Sequence, residues 1–393
     1  MKVDNEGIRL ASIFNNFNKR CLIILRRHKL KAAVLREFGK LSIEELKKPE
    51  PQKDEVLIKV NSVGVCHSDL HVIKGHIPFP LPAVLGHEVA GTVEKLGNGV
   101  DNVQVGDKVV APFILPCGKC SYCMSGQEDL CEKFYNFNRL RGLYYDGKTR
   151  LFTPSGEPIH MYSMSAHAEY SVIPSTSVFK IPENLDHEKS AILGCAIMTA
   201  YGACKNANLK PAETIAVFGI GGVGTNVVQI AHRVFRANVI AIDLNDDKLE
   251  HAKNIGAVGT VNPNKEDPVK SLLDITNGKG VDVAIEVIGI KPTINAAINS
   301  VRSGGRAVLV GLSSKGSEAS FEINSVVRRG VKIIGSYGAK PRIEMPEIIS
   351  LVSKGIINID DAVSTKFKLE EINSAFEKLE RGDIIGRAII KIS

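Results

Sequence analysis

The chain has 393 residues, 44% hydrophobic and 24% charged, a length beyond one ordinary core that predicts two domains, at most three, with a cleft between them. No apolar run approaches the roughly 20 residues needed to cross a bilayer as a helix, so a soluble protein that keeps off membranes is expected. The formal charge of +7 invites a nucleic-acid reading, but residues 1–30 hold seven Lys or Arg against Asp4 and Glu6, and the nearly neutral remainder gives no reason to expect nucleic acid as a partner.

Residues 1–30 differ from the rest: an Asn cluster, a short apolar run from Cys21 to Leu25, then Arg26, Arg27, His28 and Lys29. The pattern Leu30-Lys31-Ala32-Ala33-Val34 reads as a first strand, so this extension is expected to pack poorly. Alternating apolar residues from Val56 to Val65 predict a strand that ends in Cys66-His67-Ser68-Asp69-Leu70-His71. A proline-rich turn leads to Gly86-His87-Glu88, and short strands between glycines suggest a partly closed β-barrel. Then come Cys117, Cys120, Cys123 and Cys131, with spacing C-x2-C-x2-C-x7-C. Four thiolates can surround one tetrahedral zinc at about 2.3 Å each, a closed site with no position left for chemistry. Two disulfides are the other reading of so tight a loop. Eight cysteines mostly at metal-ligand spacing favour a reducing interior.

Residues 186–207 read as a helix bearing Cys195 and Thr199. The apolar run Ile215 to Phe218 then stops at Gly219, and an apolar pattern at helical spacing follows from Val223. Gly219, Gly221 and Gly224 stand at G-x-G-x-x-G, which permits a tight turn, close backbone approach to a pyrophosphate and close packing of helix on strand. The free N–H groups and positive dipole end of that helix favour phosphate. A second apolar run, Val239 to Ile242, delivers Asp243, whose carboxylate can accept from a ribose 2′-OH. Together these predict dinucleotide binding. Helix and strand alternate to about residue 334, implying six strands, with near-continuous apolar runs such as Val281 to Glu286 and Arg306 to Val310. Gly311 and Leu312 fall at the strand end where such sheets bind ligands. From Ile343 a helix, a strand and a helix from Leu369 to Arg381 return the chain to its first domain.

Gly86-His87-Glu88-x-x-Gly91-x5-Gly97-x-x-Val100 is similar to the zinc motif of the medium-chain alcohol dehydrogenases. The Cys66 segment, the four-cysteine lobe, Gly194-Cys195 and the glycine turn fall in that family's order, over about residues 31–393. The segment Tyr144 to Tyr170 resembles the liver and formaldehyde type. The resemblance implies an α/β protein: a GroES-like, β-rich catalytic domain at 31–190 and 340–393, and a Rossmann domain, a doubly wound parallel sheet, at 191–339. It implies Cys66, His87 and Cys195 as ligands of a catalytic zinc with one open position, Cys117, Cys120, Cys123 and Cys131 as ligands of a structural zinc, and so two Zn²⁺ per chain with NAD.

The same resemblance gives Ser68 and His71 as a proton path by way of the cofactor ribose, with Asp69 orienting His87 and Glu88 behind the metal. It puts the cofactor against Gly219, Gly221, Gly222, Val223, Gly224, Asp243, Lys248, Thr199, Val310, Gly311 and Leu312, with Arg387 on the pyrophosphate and His67 near the phosphates. The implied activity is reversible oxidation of a primary or secondary alcohol by a cytoplasmic homodimer or homotetramer. Aldehyde or semialdehyde reduction, or thiol-dependent formaldehyde oxidation, are the alternatives at the same site. A regulatory protein that keeps the metal for structure alone is disfavoured by Ser68, His71, Cys195 and Asp243. Ile77, Phe113 and Leu312 suggest an apolar substrate pocket, while Arg139 and Arg141 can meet a carboxylate.

Overall fold

The structure is a computed structural model that describes residues 29–392; the N-terminal extension, up to residue 28, lies outside them. Three sheets build the chain. Strand Lys29–Glu37 pairs with Lys40–Lys47 on one side and Ala83–Val84 on the other, in a five-stranded sheet completed by Pro158–Met161 and Leu151–Phe152. The second sheet, of seven strands, is organised on Glu55–Val65, which pairs antiparallel with Val89–Leu96 on one edge. Its other edge is shared, Tyr170–Pro174 lying against its first half and Arg387–Lys391 against its second. The β-rich part, expected as a partly closed barrel, is divided between these two sheets.

The third sheet is wholly parallel, with six strands in the spatial order Ala257–Val261, Asn238–Ile242, Thr214–Phe218, Val281–Glu286, Val301–Leu309 and Lys332–Gly335. That is the 3-2-1-4-5-6 arrangement, whose strand order reverses beside the first strand and opens a crevice there. Helices on both faces explain why Ile215, Ala216, Val217 and Phe218 are all buried, since a parallel strand covered on both sides needs no polar face. The fifth strand is longer than expected, starting at Val301 rather than Arg306.

Two connections fix how the parts meet. The last strand, Arg387–Lys391, pairs with Ser62–Val65 and so sets Arg387 beside Cys66. The helix predicted over 186–207 is broken: a tight turn over Lys189–Gly194 is followed by a helix from Ala196 to Asn206, with Cys195 at the boundary in a non-helical conformation. The break has a local cause. The Gly194 carbonyl accepts from the Phe113 amide at 2.9 Å, and a Cβ on Gly194 would lie 2.2 Å from the Ala111 carbonyl oxygen, so the chain is pinned against strand Lys108–Ala111 before the helix begins.

Candidate active site

Three chain segments converge at the junction. Cys66 closes strand Glu55–Val65 and precedes the short helix His67–Ile73, His87 and Glu88 lead into strand Val89–Leu96, and Cys195 sits at its helix boundary. One ligand atom from each of Cys66, His87, Glu88 and Cys195 lies within 4.8 Å of the others, all four residues being buried. Gly64 makes room for this, since a Cβ there would stand 2.1 Å from a Glu88 carboxylate oxygen.

His87 Nδ1 lies 2.9 Å from Asp69 Oδ1, which also accepts from the Gly86 amide at 3.2 Å. His167 Nε2 is 3.4 Å from the other Asp69 oxygen. An Asp-held Nδ1–H leaves Nε2 as the acceptor, and that nitrogen is buried without a hydrogen-bond partner among the described residues. It fits a metal ligand.

The electrostatics agree. Although burial opposes it, the charges of Asp69 and Cys66 raise His87 to about 10, so the pocket favours a positive charge on Nε2, where a metal ion would take the proton's place. Contact with Cys195, then the positive charges of Arg387 and His87, pull the Cys66 thiol well below its usual range. Burial, helped by the charges of Cys66 and Asp69, pushes Glu88 up to about 7 against the pull of Arg387, whose Nη2 is 2.6 Å away. Such a pocket of buried thiolate, imidazole and carboxylate attracts positive charge, as a divalent cation site must.

In the cysteine lobe the four Sγ atoms also lie within 4.8 Å of one another. Cys120 and Cys131 Sγ are 3.9 Å apart, near the about 3.8 Å that a tetrahedron with 2.3 Å Zn–S bonds requires. Backbone amides of Cys117 and Phe134 point at Cys131 Sγ from 3.3 and 3.5 Å, and that of Cys120 at Cys117 Sγ from 3.4 Å. Every described cysteine is a free thiol, so the disulfide reading does not hold.

A cleft of about 450 Å³ runs from the Cys66 cluster to the glycine turn. The three glycines serve three different purposes. Gly219 has φ +96°, which a side chain resists; a Cβ on Gly221 would meet nothing within 4 Å and project into the open crevice; one on Gly224 would lie 1.7 Å from the Gly219 carbonyl oxygen. Turn, open cradle and close packing are what a bound dinucleotide needs. Asp243 is held at the crevice by the Ile220 and Asn245 amides, at 2.7 and 3.0 Å. Gly222, Val223, Lys248, Thr199, Val310, Gly311, Leu312 and His67 line the same cleft.

Arg387 is buried, divided between Glu88 at 2.6 Å, Cys66 Sγ at 3.5 Å and the floor beneath Gly222. Ser68 and His71 also line the cleft, Ser68 Oγ lying 3.8 Å from Cys66 Sγ and His71 Nδ1 lying 3.3 Å from His76 Nδ1. Asp69 and Glu88 are not among the residues that line the cleft and lie behind it.

Residues 52–183 match the family described as alcohol dehydrogenase GroES-like domain, and residues 222–354 match zinc-binding dehydrogenase. The chain is 38% identical to S-(hydroxymethyl)glutathione dehydrogenase of Escherichia coli over 370 residues, covering 92% of this chain and 100% of that protein. Among solved structures, benzyl alcohol dehydrogenase from Acinetobacter calcoaceticus is 33% identical with a TM-score of 0.87, covering 93% of this chain and 99% of that one. An alcohol dehydrogenase zinc-binding domain protein from Burkholderia ambifaria is 34% identical, also at 0.87, with the same coverage. The chain belongs to the zinc-dependent medium-chain alcohol dehydrogenases. It is an oxidoreductase whose cofactors are zinc and a nicotinamide dinucleotide.

Beyond the cluster of Cys66, His87 and Cys195, this alcohol dehydrogenase has an aromatic wall. The His87 ring meets Phe113 and Tyr162 edge-on at 6.0 and 5.8 Å, and Phe113 meets Tyr337 at 5.3 Å. Phe113 and Leu312 line the cleft as expected and Arg139 does too, but two other expectations fail. Ile77 packs against the separate core around Phe367 and Phe376, because the apolar side of helix His67–Ile73 faces that core and the chain beyond it follows. Arg141 is exposed, its guanidinium 5.7 Å over the Phe137 ring, its segment held outward by a 2.9 Å bond between its carbonyl and His160 Nδ1.

Val287, Ile288, Tyr162 and Tyr337 line the dehydrogenase's cleft without having been singled out. For Val287 and Ile288 the signal was available, since both follow the carboxyl end of parallel strand Val281–Glu286. No sequence motif marks Tyr162, Tyr337 or His167.

Proposed function

We propose that the enzyme oxidises a primary or secondary alcohol to the aldehyde or ketone, reversibly, transferring hydride to NAD. The observation that carries this reading is one cleft shared by Cys66, His87 and Cys195, by Ser68 and His71, and by the glycine turn with Asp243. When bound, zinc makes a hydroxyl acidic as a Lewis acid and NAD takes up the hydride. Cys66, His87 and Cys195 hold the metal, Asp69 fixes the His87 ring, and Glu88 and Arg387 balance each other's charge behind it. Ser68 Oγ accepts the substrate hydroxyl proton as it passes its own proton on toward His71, which takes it up and releases it to solvent. Phe113, Tyr162 and Tyr337 keep water from the reacting end. Asp243, Lys248, Thr199, Val310, Gly311 and Leu312 bind the cofactor with the glycine turn, His67 and Arg387 lying toward its phosphates. The negative Asp243 disfavours a 2′-phosphate and so selects NAD over NADP.

Cys117, Cys120, Cys123 and Cys131 take a second, structural zinc. The catalytic unit is 31–190 with 340–393 and the cofactor unit 191–339, a division supported by the return of strand Arg387–Lys391 to Glu55–Val65. A homodimer, alone or within a homotetramer, is supported by edge strand Lys332–Gly335, which pairs on one side only among the described residues and leaves Ile333 36% exposed. Two sets of free thiols suit the reducing cytoplasm, and no described helix is long and apolar enough to cross a membrane.

Thiol-dependent formaldehyde oxidation is the second reading, favoured by the name of the Escherichia coli relative. Steady-state rates of the zinc-loaded protein on 1-alkanols, benzyl alcohol, and formaldehyde with and without glutathione, each with NAD and NADP, separate the two. Saturable NADH formation from an alkanol supports the first. Turnover only with formaldehyde plus glutathione transfers the assignment to the second, and none with any substrate overturns both.

A further inference from the structure

We infer that Arg139 reads a carboxylate at the far end of the substrate, so that the enzyme acts on short alcohols and aldehydes bearing an acid group at their other terminus. This rests on the dehydrogenase reading above and narrows it to a substrate class.

The geometry is specific. Arg139 ends the widened helical turn Phe134–Arg139 that follows the cysteine lobe. Its neighbour Asn138 is fully buried and locks the turn in place, donating to the Met161 and Ser163 carbonyls at 3.3 and 2.9 Å and accepting from the Ser163 amide at 2.9 Å. The backbone at Arg139 is therefore fixed against the wall of the cleft, and its guanidinium carbon lies 4.2 Å from the Tyr162 ring centre. Tyr162 in turn stands 5.8 Å from the His87 ring. The guanidinium is thus no farther from the metal-site histidine than these two steps together. At about 1.25 Å of extension per carbon–carbon bond, and with about 4 Å taken up by the contact between carboxylate and guanidinium, chains of up to roughly six carbons fit within that limit.

What is missing is the counter-charge. The cleft's other arginine, Arg387, has the Glu88 carboxylate 2.6 Å away. Among the described residues no carboxylate lies within ion-pair distance of Arg139: Tyr162 and Tyr337 are beside it, the Tyr162 side chain within hydrogen-bond reach, and the nearest acid that acts on it, Asp69, lies farther off and is already engaged by His87. A guanidinium stays charged at all working pH values, and its planar fork matches a carboxylate through two parallel hydrogen bonds. The Tyr162 ring attracts the guanidinium but supplies no negative charge to pair with it. A substrate with its hydroxyl at Cys66, His87 and Cys195 and its acid group at Arg139 completes both ends of the pocket.

The test compares 5-hydroxypentanoate, 1-pentanol and 5-amino-1-pentanol as substrates of the full-length, zinc-loaded enzyme with NAD. In the wild type kcat/KM should be highest for the acid, by about 10- to 100-fold over pentanol, the size of a charge-assisted hydrogen bond, and lowest for the amine. Arg139→Glu should invert the order, and Arg139→Lys, which keeps the charge but loses the fork, should retain only part of the preference. A wild type that handles pentanol as well as the acid overturns the proposal while leaving the dehydrogenase reading intact, and so does an unchanged order in Arg139→Glu. If that variant fails to fold, the wild-type ranking and Arg139→Lys decide. Failure to oxidise any of the three while benzyl alcohol is turned over overturns the proposal alone.

Discussion

Replacing Gly221 and Gly224 separately by alanine should divide cofactor binding from folding. A methyl on Gly224 would sit 1.7 Å from the Gly219 carbonyl oxygen and 2.8 Å from its carbon. Both contacts are backbone, so the helix Gly222–Arg233 must move away from its strand. Overpacking of this kind costs about 1–3 kcal/mol, and at roughly 2–4 °C per kcal/mol for a domain of this size the cofactor-free protein should melt about 2–12 °C lower. Gly221 has φ −88° and ψ −158°, a conformation open to any residue, and its added methyl meets no atom within 4 Å. Gly221→Ala should therefore leave the cofactor-free melting temperature unchanged, or raise it slightly through loss of unfolded-state entropy of about 0.4–1 kcal/mol. Its methyl would occupy the crevice instead, and NADH affinity should fall by at least about tenfold, since the backbone can no longer approach the pyrophosphate. Thermal unfolding without cofactor and NADH fluorescence titration read the two effects. If Gly221→Ala melts as low as Gly224→Ala, or binds NADH like the wild type, the separate roles given to these glycines are wrong.

Asp243→Asn should narrow the preference for NAD over NADP by about tenfold in kcat/KM, and a wild type that already favours NADP would show Lys248 to be the governing charge. His71 is pushed below the ordinary imidazole value by burial and then by the charge of His76. Alcohol oxidation needs His71 unprotonated, so activity falls as pH drops through its pKa; His76→Gln removes one depressing cause and should move that acid limb of kcat to higher pH, whereas a limb that stays in place removes His71 from the proton path. Asp69→Asn keeps the shape but loses the charge that orients His87, and should weaken catalytic-site zinc affinity by about 10–100-fold; equilibrium dialysis against a chelator measures it, and wild-type retention would mean that His87 needs no orienting partner.

How much could be read from sequence depended on how local each constraint was. The glycine turn was legible because Gly219 and Gly224 constrain each other within six residues, and the cysteine lobe because all four thiols lie within one loop. Cys66, His87 and Cys195 carry no spacing that predicts their meeting. They are gathered by the long strand Glu55–Val65, by the strand after His87 and by the pinning of Gly194 to Ala111, and only the family resemblance assembled them from sequence. Arg387 was legible as a residue of interest, but its pairing with Glu88 depends on the last strand returning to Ser62–Val65. Arg139 and Arg141 looked equivalent in sequence. Asn138, bonded to the Met161 and Ser163 backbone, turns the first into the cleft, and the chain leaves it before the second.

The central claim is that two thiol-based sites of different openness hold zinc, and that the one built from Cys66, His87 and Cys195 performs the chemistry. Zinc content per chain, measured together with turnover for the wild type and for Cys195→Ser, tests it most directly. The wild type should carry two zinc ions. Cys195→Ser should stay folded, carry one and show no turnover, because an oxygen ligand weakens the open site while the closed Cys117, Cys120, Cys123 and Cys131 site is untouched. A Cys195→Ser protein with two zinc ions and full activity, or a wild type fully active with one, would contradict the account.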